Sequence, residues 1–96
     1  PGPVIDSADI RENPEASLRA LCAAIDLQFD PAMLQWPAGP KPFDGVWASH
    51  WYDAVHRSPG FAAAEGPLPK VAKEHRTLLN EALPIYEAMR EARLRP

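Results

Sequence analysis

The chain has 96 residues, with 10 lysines and arginines against 13 aspartates and glutamates, so its net charge is −3. This length allows at most one domain, and the acidic balance argues against a nucleic-acid surface, which requires a basic excess. No apolar run approaches the roughly 20 residues of a membrane span, and the single Cys22 excludes an internal disulfide and a cysteine-based metal site, so we expect a cytoplasmic protein without nucleic-acid or membrane partners.

The beginning of the chain suggests a piece of a larger polypeptide. It starts Pro1-Gly2-Pro3 without an initiator methionine, and 12 of its residues are proline, above the usual ~5%. The apolar pair Val4-Ile5 allows one short edge strand at residues 3–6. An unpaired strand leaves its backbone groups unsatisfied, so its partner strands would have to come from residues not present here.

The first strong helix signal is Asn13-Pro14-Glu15, which combines an N-cap residue, proline at the first helical position and an acid in the first turn. Apolar residues follow at helical spacing and form a single stripe. We predict a helix from Pro14 to Ile25 or Asp26. The stripe consists of Leu18, Leu21, Cys22 and Ile25.

The middle of the chain reads as a short capped helix, an extended segment and a central helix. Asp30-Pro31 begins the short helix, and residues 35–40 must be extended because residues before proline avoid the helical region. Asp44 is placed to cap the central helix, and residues 58–60 end it. The apolar face of this helix consists of Trp47, Trp51, Ala54 and Val55.

A long helix is predicted to open at Pro69 and to be broken or kinked at Pro84, with a frayed end at residues 90–96. Its stripe, with the stripes of the two earlier helices, predicts one shared core. The residues of that core are Leu18, Leu21, Ile25, Trp47, Trp51, Leu78 and Leu79. Because long proline-rich connections separate the segments, we also expect residues 47–55, Trp36 or Val4-Ile5 to contact another polypeptide or to remain as an exposed apolar surface.

The stretch KPFDGVWASHW resembles the C-terminal signature of the P-loop sulfotransferases, which runs Arg-Lys-Gly-x-x-Gly-x-Trp and then His or Asn with an aromatic residue. Gly45 and Trp47 match the Gly-x-Trp, and His50 with Trp51 matches the following pair. Lys41 stands at the lysine of the signature, between two prolines that replace its arginine and glycine. In the family this basic segment holds the 3'-phosphate of 3'-phosphoadenosine 5'-phosphosulfate.

The two ends of the chain are also similar to this family. Asp9 and Ile10 match the end of a Tyr-Glu-Asp-Leu pattern, in which Ser7 replaces the tyrosine near the donor's adenine. A long terminal helix with proline before an aromatic and glutamate is likewise typical of the family. The resemblance implies a mainly α fold over residues 1–96, a single helical unit that is the C-terminal segment of a larger α/β P-loop sulfotransferase-like domain.

For function, the resemblance implies a parent protein that transfers a sulfuryl group from 3'-phosphoadenosine 5'-phosphosulfate to a small-molecule acceptor. The chain lacks a P-loop and the family's catalytic base, so alone it is expected to be inactive, without a catalytic residue and without bound cofactor. Its expected partner is the missing N-terminal part or a second copy, as in a homo-oligomer. The alternative is a small helical protein-interaction module without enzymatic activity.

Three residues are candidate contacts at a binding site. Lys41 and Ser7 are expected at the donor, Lys41 as an anion contact. His50 is expected at the edge of a substrate pocket, or alternatively as a buried histidine bonded to a loop carbonyl. His56 is predicted to be solvated, and His75 to be a packing residue; the three histidines lack the spacing of a zinc site.

Overall fold

The computed structural model describes residues 2–96, which are mainly helical, as the sequence predicts. No strand forms at residues 3–6. Instead the Val4 carbonyl accepts the N–H of Leu94, 2.9 Å away, from beyond the last helix. The possible edge strand is therefore replaced by a contact between the two ends of the chain. The helices are α1 (Ser7–Glu12), α2 (Pro14–Ala24), α3 (Ala48–Trp51), α4 (Asp53–Arg57) and α5 (Arg76–Glu91), with 3-10 turns at Pro31–Met33 and Lys73–His75.

Asn13 separates α1 from α2 and caps both. Its backbone N–H donates to the carbonyl of Asp9 at the end of α1, and its side chain accepts the N–H of Ala16 in the first turn of α2. The following Pro14 has no N–H and disfavours a helical conformation at residue 13. One Asn-Pro pair thus ends one helix and starts the next, and the two helices pack against each other.

α2 ends in a Schellman motif one residue beyond Ala24. Leu27 N–H donates to the Cys22 carbonyl at 2.8 Å, and Asp26 N–H donates to the Ala23 carbonyl at 3.4 Å. Asp26 has a φ of +57°, the left-handed conformation that this motif requires. The predicted end at Ile25 or Asp26 therefore falls on the cap itself.

The predicted central helix is divided at Tyr52 into two short helices, neither of which has a side-chain cap. Helical hydrogen bonds still run from Tyr52 N–H to the Ala48 carbonyl and from His56 N–H to the Tyr52 carbonyl. The break is a change in the backbone at one residue, and the segment remains a near-continuous helical stretch.

The long helix, α5, begins later in the chain than the predicted start at Pro69. Residues 67–72 are not helical, and the 3-10 turn at Lys73–His75 leads into α5, which has no side-chain cap. Pro84 lies inside α5 without ending it. The terminal residues are held in place, since Arg93 lies 2.7 Å from Asp9 and Leu94 bonds to Val4. α5 itself ends at Glu91, and the fraying of residues 90–96 stays a prediction.

The predicted shared core does not form. Within residues 2–96 the buried apolar side chains are Cys22 and Ala48, while Trp47, Trp51 and Leu78 are exposed. The three stripes do not meet because α2 packs on α1 and α5 contacts its own preceding turn. The radius of gyration of 16.6 Å exceeds the ~13 Å of a compact domain of this length, in keeping with an open arrangement.

Candidate functional site

The signature lysine lies in a tight turn from Lys41 to Asp44. Asp44 N–H donates to the Lys41 carbonyl at 3.0 Å, and Lys41 N–H donates back to Asp44 Oδ2 at 2.8 Å. The Lys41 ammonium donates to the carbonyl of Pro37. Because prolines 40 and 42 have no N–H, this ammonium is the one donor of residues 40–42 that is not committed to the turn.

Asp44 also contacts His56, so its carboxylate joins the turn to α4. His56 Nε2 lies 2.9 Å from Asp44 Oδ2, with 21% and 17% of the two side chains exposed. The Lys41 N–H lowers the pKa of Asp44 from its ordinary 3.8; desolvation opposes this, and the His56 hydrogen bond and the nearby charges add to it. Two sequence-based expectations are therefore wrong, because Asp44 does not cap α3 and His56 is not a solvated side chain.

The loop that carries this turn is closed at its base by a second set of contacts. Trp36 N–H donates to the Pro59 carbonyl at 2.9 Å, and its indole N–H donates to Ser58 Oγ at 3.1 Å. Its ring also meets Phe61 edge to face at 5.6 Å. Gly60 permits the closure, since a Cβ there would lie 2.9 Å from the Leu34 carbonyl oxygen. We call residues 36–58 the closed loop.

His50 lies on α3 within the closed loop, and its side chain is exposed. Within the described residues it makes no side-chain hydrogen bond or ion pair, so the alternative of a buried histidine bonded to a loop carbonyl is wrong. The closed loop also exposes several apolar side chains, which are those of Phe43, Val46, Trp47, Trp51 and Val55.

Ser7, the other residue predicted to contact the phosphosulfate donor, lies outside the closed loop, where the two ends of the chain meet. It begins α1 and lines a cleft of about 280 Å³ together with residues of α5. Asp6, beside it, caps α1 through Ala8 N–H and accepts the hydroxyl of Tyr86 at 3.1 Å. The Ala8 N–H lowers the pKa of Asp6 against desolvation, and the bond to Asp6 raises the pKa of Tyr86.

Two arginines complete this joint between the chain ends. Arg93 Nε lies 2.7 Å from Asp9 Oδ2, and Arg90 Nε lies 3.5 Å from Asp6 Oδ2. The hydrogen bond to Asp9 raises the pKa of Arg93 against the effect of desolvation. We call Asp6, Asp9, Tyr86, Arg90 and Arg93 the terminal clasp.

The structure does not bring the three predicted contacts into one pocket. Ser7 belongs to the cleft beside the terminal clasp, whereas Lys41 and His50 belong to the closed loop. A larger cleft, of about 600 Å³, contains none of them and lies between the start of α2 and the base of the closed loop. Within residues 2–96, no group of three or more histidine, cysteine or acidic side chains is arranged for a metal ion.

Comparison with known proteins identifies the family. Residues 1–93 match the family model for the sulfotransferase domain. The chain belongs to the sulfotransferase domain family. This match covers nearly the whole sequence and confirms the family expected from the KPFDGVWASHW stretch.

Two relatives from Arabidopsis thaliana match the same region. Branched-chain-amino-acid aminotransferase-like protein 2 is 39% identical over 90 residues, and Branched-chain-amino-acid aminotransferase-like protein 1 is 41% identical over 90 residues. Each alignment includes 94% of this chain but 16% of the relative, so the sulfotransferase-domain chain spans about one sixth of their length. No solved structure matches the chain.

The sequence did not predict the contact between Asp44 and His56 or the terminal clasp. In both, several polar groups are joined by hydrogen bonds. The first pair is separated by 12 positions, and Arg93 is 84 positions from Asp9. No helical or strand period links residues so far apart. The one local signal was Asp44, three positions after the signature lysine, a spacing at which an aspartate can close a turn.

None of the helices at residues 2–96 has the length and apolar character needed to cross a membrane.

Proposed function

We propose that this sulfotransferase-domain chain forms the C-terminal part of an enzyme that uses 3'-phosphoadenosine 5'-phosphosulfate. The full-length protein would transfer the sulfuryl group to a hydroxyl or amine of a small molecule. The observation that carries the proposal is the family match over residues 1–93 together with the ordered turn at Lys41. When bound, the donor supplies the activated sulfuryl group, and the P-loop and catalytic base would lie in other parts of the full-length protein.

In this proposal Lys41 contacts the 3'-phosphate of the donor. Its ammonium bonds to the neutral carbonyl of Pro37, which a phosphate oxygen can replace at a gain in charge complementarity. With the backbone N–H already committed to Asp44, the residue acts as a point charge and offers no backbone N–H cradle. This arrangement fits one phosphate contact.

The other two candidates take peripheral positions. The Ser7 hydroxyl, in the cleft beside the terminal clasp, would approach the adenine end of the donor. The exposed imidazole of His50 would border the acceptor pocket once the rest of the protein covers the apolar surface around it. A cytoplasmic location is part of the same proposal, because Cys22 is a free thiol of the kind that a reducing compartment preserves.

The experiment is titration calorimetry of the full-length protein with adenosine 3',5'-bisphosphate, the product form of the donor. Lys41→Ala should weaken binding about tenfold, since it removes a charge-assisted contact. Lys70→Ala is the matched control, because Lys70 is exposed and lies outside the closed loop. A wild-type protein that does not bind this nucleotide would refute the proposal. The 96-residue chain alone is expected not to bind it measurably.

The second candidate function is a protein-interaction module without chemistry, and the exposed tryptophans favour it. Trp47 and Trp51 are 67% and 74% exposed, and such aromatic surfaces are typical of interfaces. The coding sequence upstream discriminates between the two. A GxxxxGK[ST] segment between a strand and a helix there supports the enzyme, and its absence supports the module.

The names of the two Arabidopsis relatives do not add an aminotransferase proposal for this chain. Each name describes a whole protein, of which the matched region is 16%. The family model for that region is the sulfotransferase domain, so sulfuryl transfer is the function that we carry forward.

A further inference from the structure

His56 holds the turn that carries Lys41 from two sides. Its Nε2 lies 2.9 Å from Asp44 Oδ2, at the far end of the turn. Its backbone carbonyl accepts the N–H of Gly39, just before the turn begins. Gly39 has a φ of +109°, a conformation that favours glycine, so the approach to His56 depends on this residue type. Lys41 lies between the two points of attachment.

The direction of the imidazole hydrogen bond follows from the carboxylate. An ionised aspartate accepts hydrogen bonds and cannot donate them, so Nε2 of His56 must carry the proton. The same Oδ2 accepts the N–H of Lys41 at 2.8 Å. Two donors, one from α4 and one from the turn, therefore meet on one half-buried oxygen.

Within residues 2–96, α4 contacts the segment around the turn at both of these points. The chain on either side of Lys41 is proline and therefore cannot form backbone N–H bonds of its own. The ring of Tyr52 also meets the His56 imidazole edge to face at 5.9 Å. The position of the Lys41 backbone is thus linked to α4 through His56 and Asp44.

We propose that His56 is a positioning residue for Lys41, which it orders through Asp44 before an anionic ligand arrives. The role rests on the proposed function, in which Lys41 contacts the 3'-phosphate of the donor. Ordering a flexible loop in advance improves affinity because the ligand no longer has to order it. His56 itself does not touch the ligand.

Two substitutions at His56 separate the effect of its hydrogen-bond donor from the effect of its aromatic ring. His56→Gln keeps a terminal N–H at a similar reach, whereas His56→Phe keeps a flat ring without a donor. In the full-length protein, His56→Phe should weaken binding of adenosine 3',5'-bisphosphate about fivefold, the effect of one hydrogen bond, and His56→Gln should stay within about twofold of wild type.

A second readout is independent of donor binding. In the full-length protein labelled with ¹⁵N, the Lys41 amide signal should move in His56→Phe and stay near its wild-type position in His56→Gln. The Trp36 indole N–H, which bonds to Ser58 at the base of the closed loop, should not move in either variant. The ring nitrogens of wild-type His56 should show the proton on Nε2, a measurement that needs no substitution.

The outcomes distinguish this inference from the proposed function. The positioning role would be overturned by any of three results. These are an unprotonated Nε2 of His56, a Lys41 amide signal that changes in neither variant, or an equal effect of His56→Gln and His56→Phe. If the amide responds as expected but wild-type protein does not bind the nucleotide, the order of the turn stands and the sulfotransferase proposal fails. In that case the role in anion binding fails with it.

Discussion

At the scale of single residues, Asp44 determines the geometry of the signature segment more than the lysine that defines it. Its carboxylate receives Lys41 N–H and His56 Nε2 on one oxygen, and its own N–H closes the turn onto the Lys41 carbonyl. These two hydrogen bonds are stronger than neutral ones because the carboxylate that accepts them is charged. The residue type matters here through its charge, since an amide side chain has one neutral acceptor.

The first prediction concerns the acid stability of this turn. The pKa of Asp44 is lowered in the folded protein, chiefly by the Lys41 N–H. A lowered carboxyl pKa contributes stability above the unfolded value of 3.8, and this contribution is lost as the pH falls through the folded value. The Lys41 amide signal in an NMR titration should therefore show an acid transition below about pH 4.

Asp44→Asn should abolish this acid transition and shift the Lys41 amide at neutral pH. Asp53→Asn is the matched control, since Asp53 forms an exposed pair with Arg57 on the surface of α4 and should leave the Lys41 signal in place. An Asp44→Asn variant that keeps the acid transition of the Lys41 amide would show that Asp44 does not control the turn.

At the scale of elements, the sequence predicts best the features that depend on neighbouring residues. The predicted N-caps at Asn13 and Asp30 are confirmed. This signal is local, because the capping side chain accepts a backbone N–H no more than three residues away and is followed by proline. The start of α5 and the division at Tyr52 were read wrongly. Helical periodicity alone does not encode the first residue of a helix that has no side-chain cap, as in α5. It also does not encode the distant contact of Asp44 with His56 on α4.

The candidate site shows the same division between local and distant information. The signature identified Lys41 and His50 as residues of the closed loop, but not their surroundings. The bonds that order the loop come from His56 and Ser58, and those that hold Ser7's neighbourhood come from α5. Such contacts depend on how the chain returns on itself, which no spacing in a single sequence specifies.

The cap of α2 provides a prediction at this scale. Asp26 occupies the left-handed position of a Schellman motif, where glycine avoids the steric cost of a side chain. Asp26→Gly should raise the free energy of unfolding by about 0.5–1 kcal/mol, and Asp26→Ala should lower it. Urea denaturation followed by circular dichroism measures both; a loss of stability with glycine would contradict the cap assignment.

The terminal clasp provides a second prediction, on the coupling of α1 to the end of α5. Asp9 and Arg93 are largely covered and 2.7 Å apart, whereas Glu91 and Arg95 form an exposed pair at 3.3 Å. In double-mutant cycles to alanine, Asp9 with Arg93 should show a larger coupling energy than the exposed pair of Glu91 with Arg95. The exposed control pair should couple by ~0.3 kcal/mol or less.

Hydrogen exchange would show what this coupling does to the chain ends. Arg93→Ala should speed exchange of the Leu94 amide, whose bond to the Val4 carbonyl joins the two ends. Arg95→Ala should leave that amide protected. Equal protection of Leu94 in both variants would mean that the ends are joined without the clasp.

At the scale of the whole molecule, the described chain has more apolar surface than it can bury. The closed loop exposes Phe43 and Val46 at 84% each, beside Trp47 and Trp51, and α5 exposes Leu78 and Ile85. Contiguous apolar patches of several hundred Å² on soluble proteins generally mark an interface. Because the chain spans 16% of its Arabidopsis relatives, we propose that this surface contacts other parts of the full-length protein.

The last prediction follows from that surface when the 96 residues are studied alone. With nothing to cover them, the indoles of Trp47 and Trp51 should lead to self-association, because removing apolar area from water is favourable at about 25 cal/mol per Å². Sedimentation velocity at increasing concentration should show an increasing average mass. Replacing both residues by lysine should return the chain to a monomer, while Leu68→Lys, at an exposed position outside the closed loop, should not. A wild-type chain that stays monomeric at high concentration would contradict this prediction and would leave the apolar surface of the closed loop without a role in association.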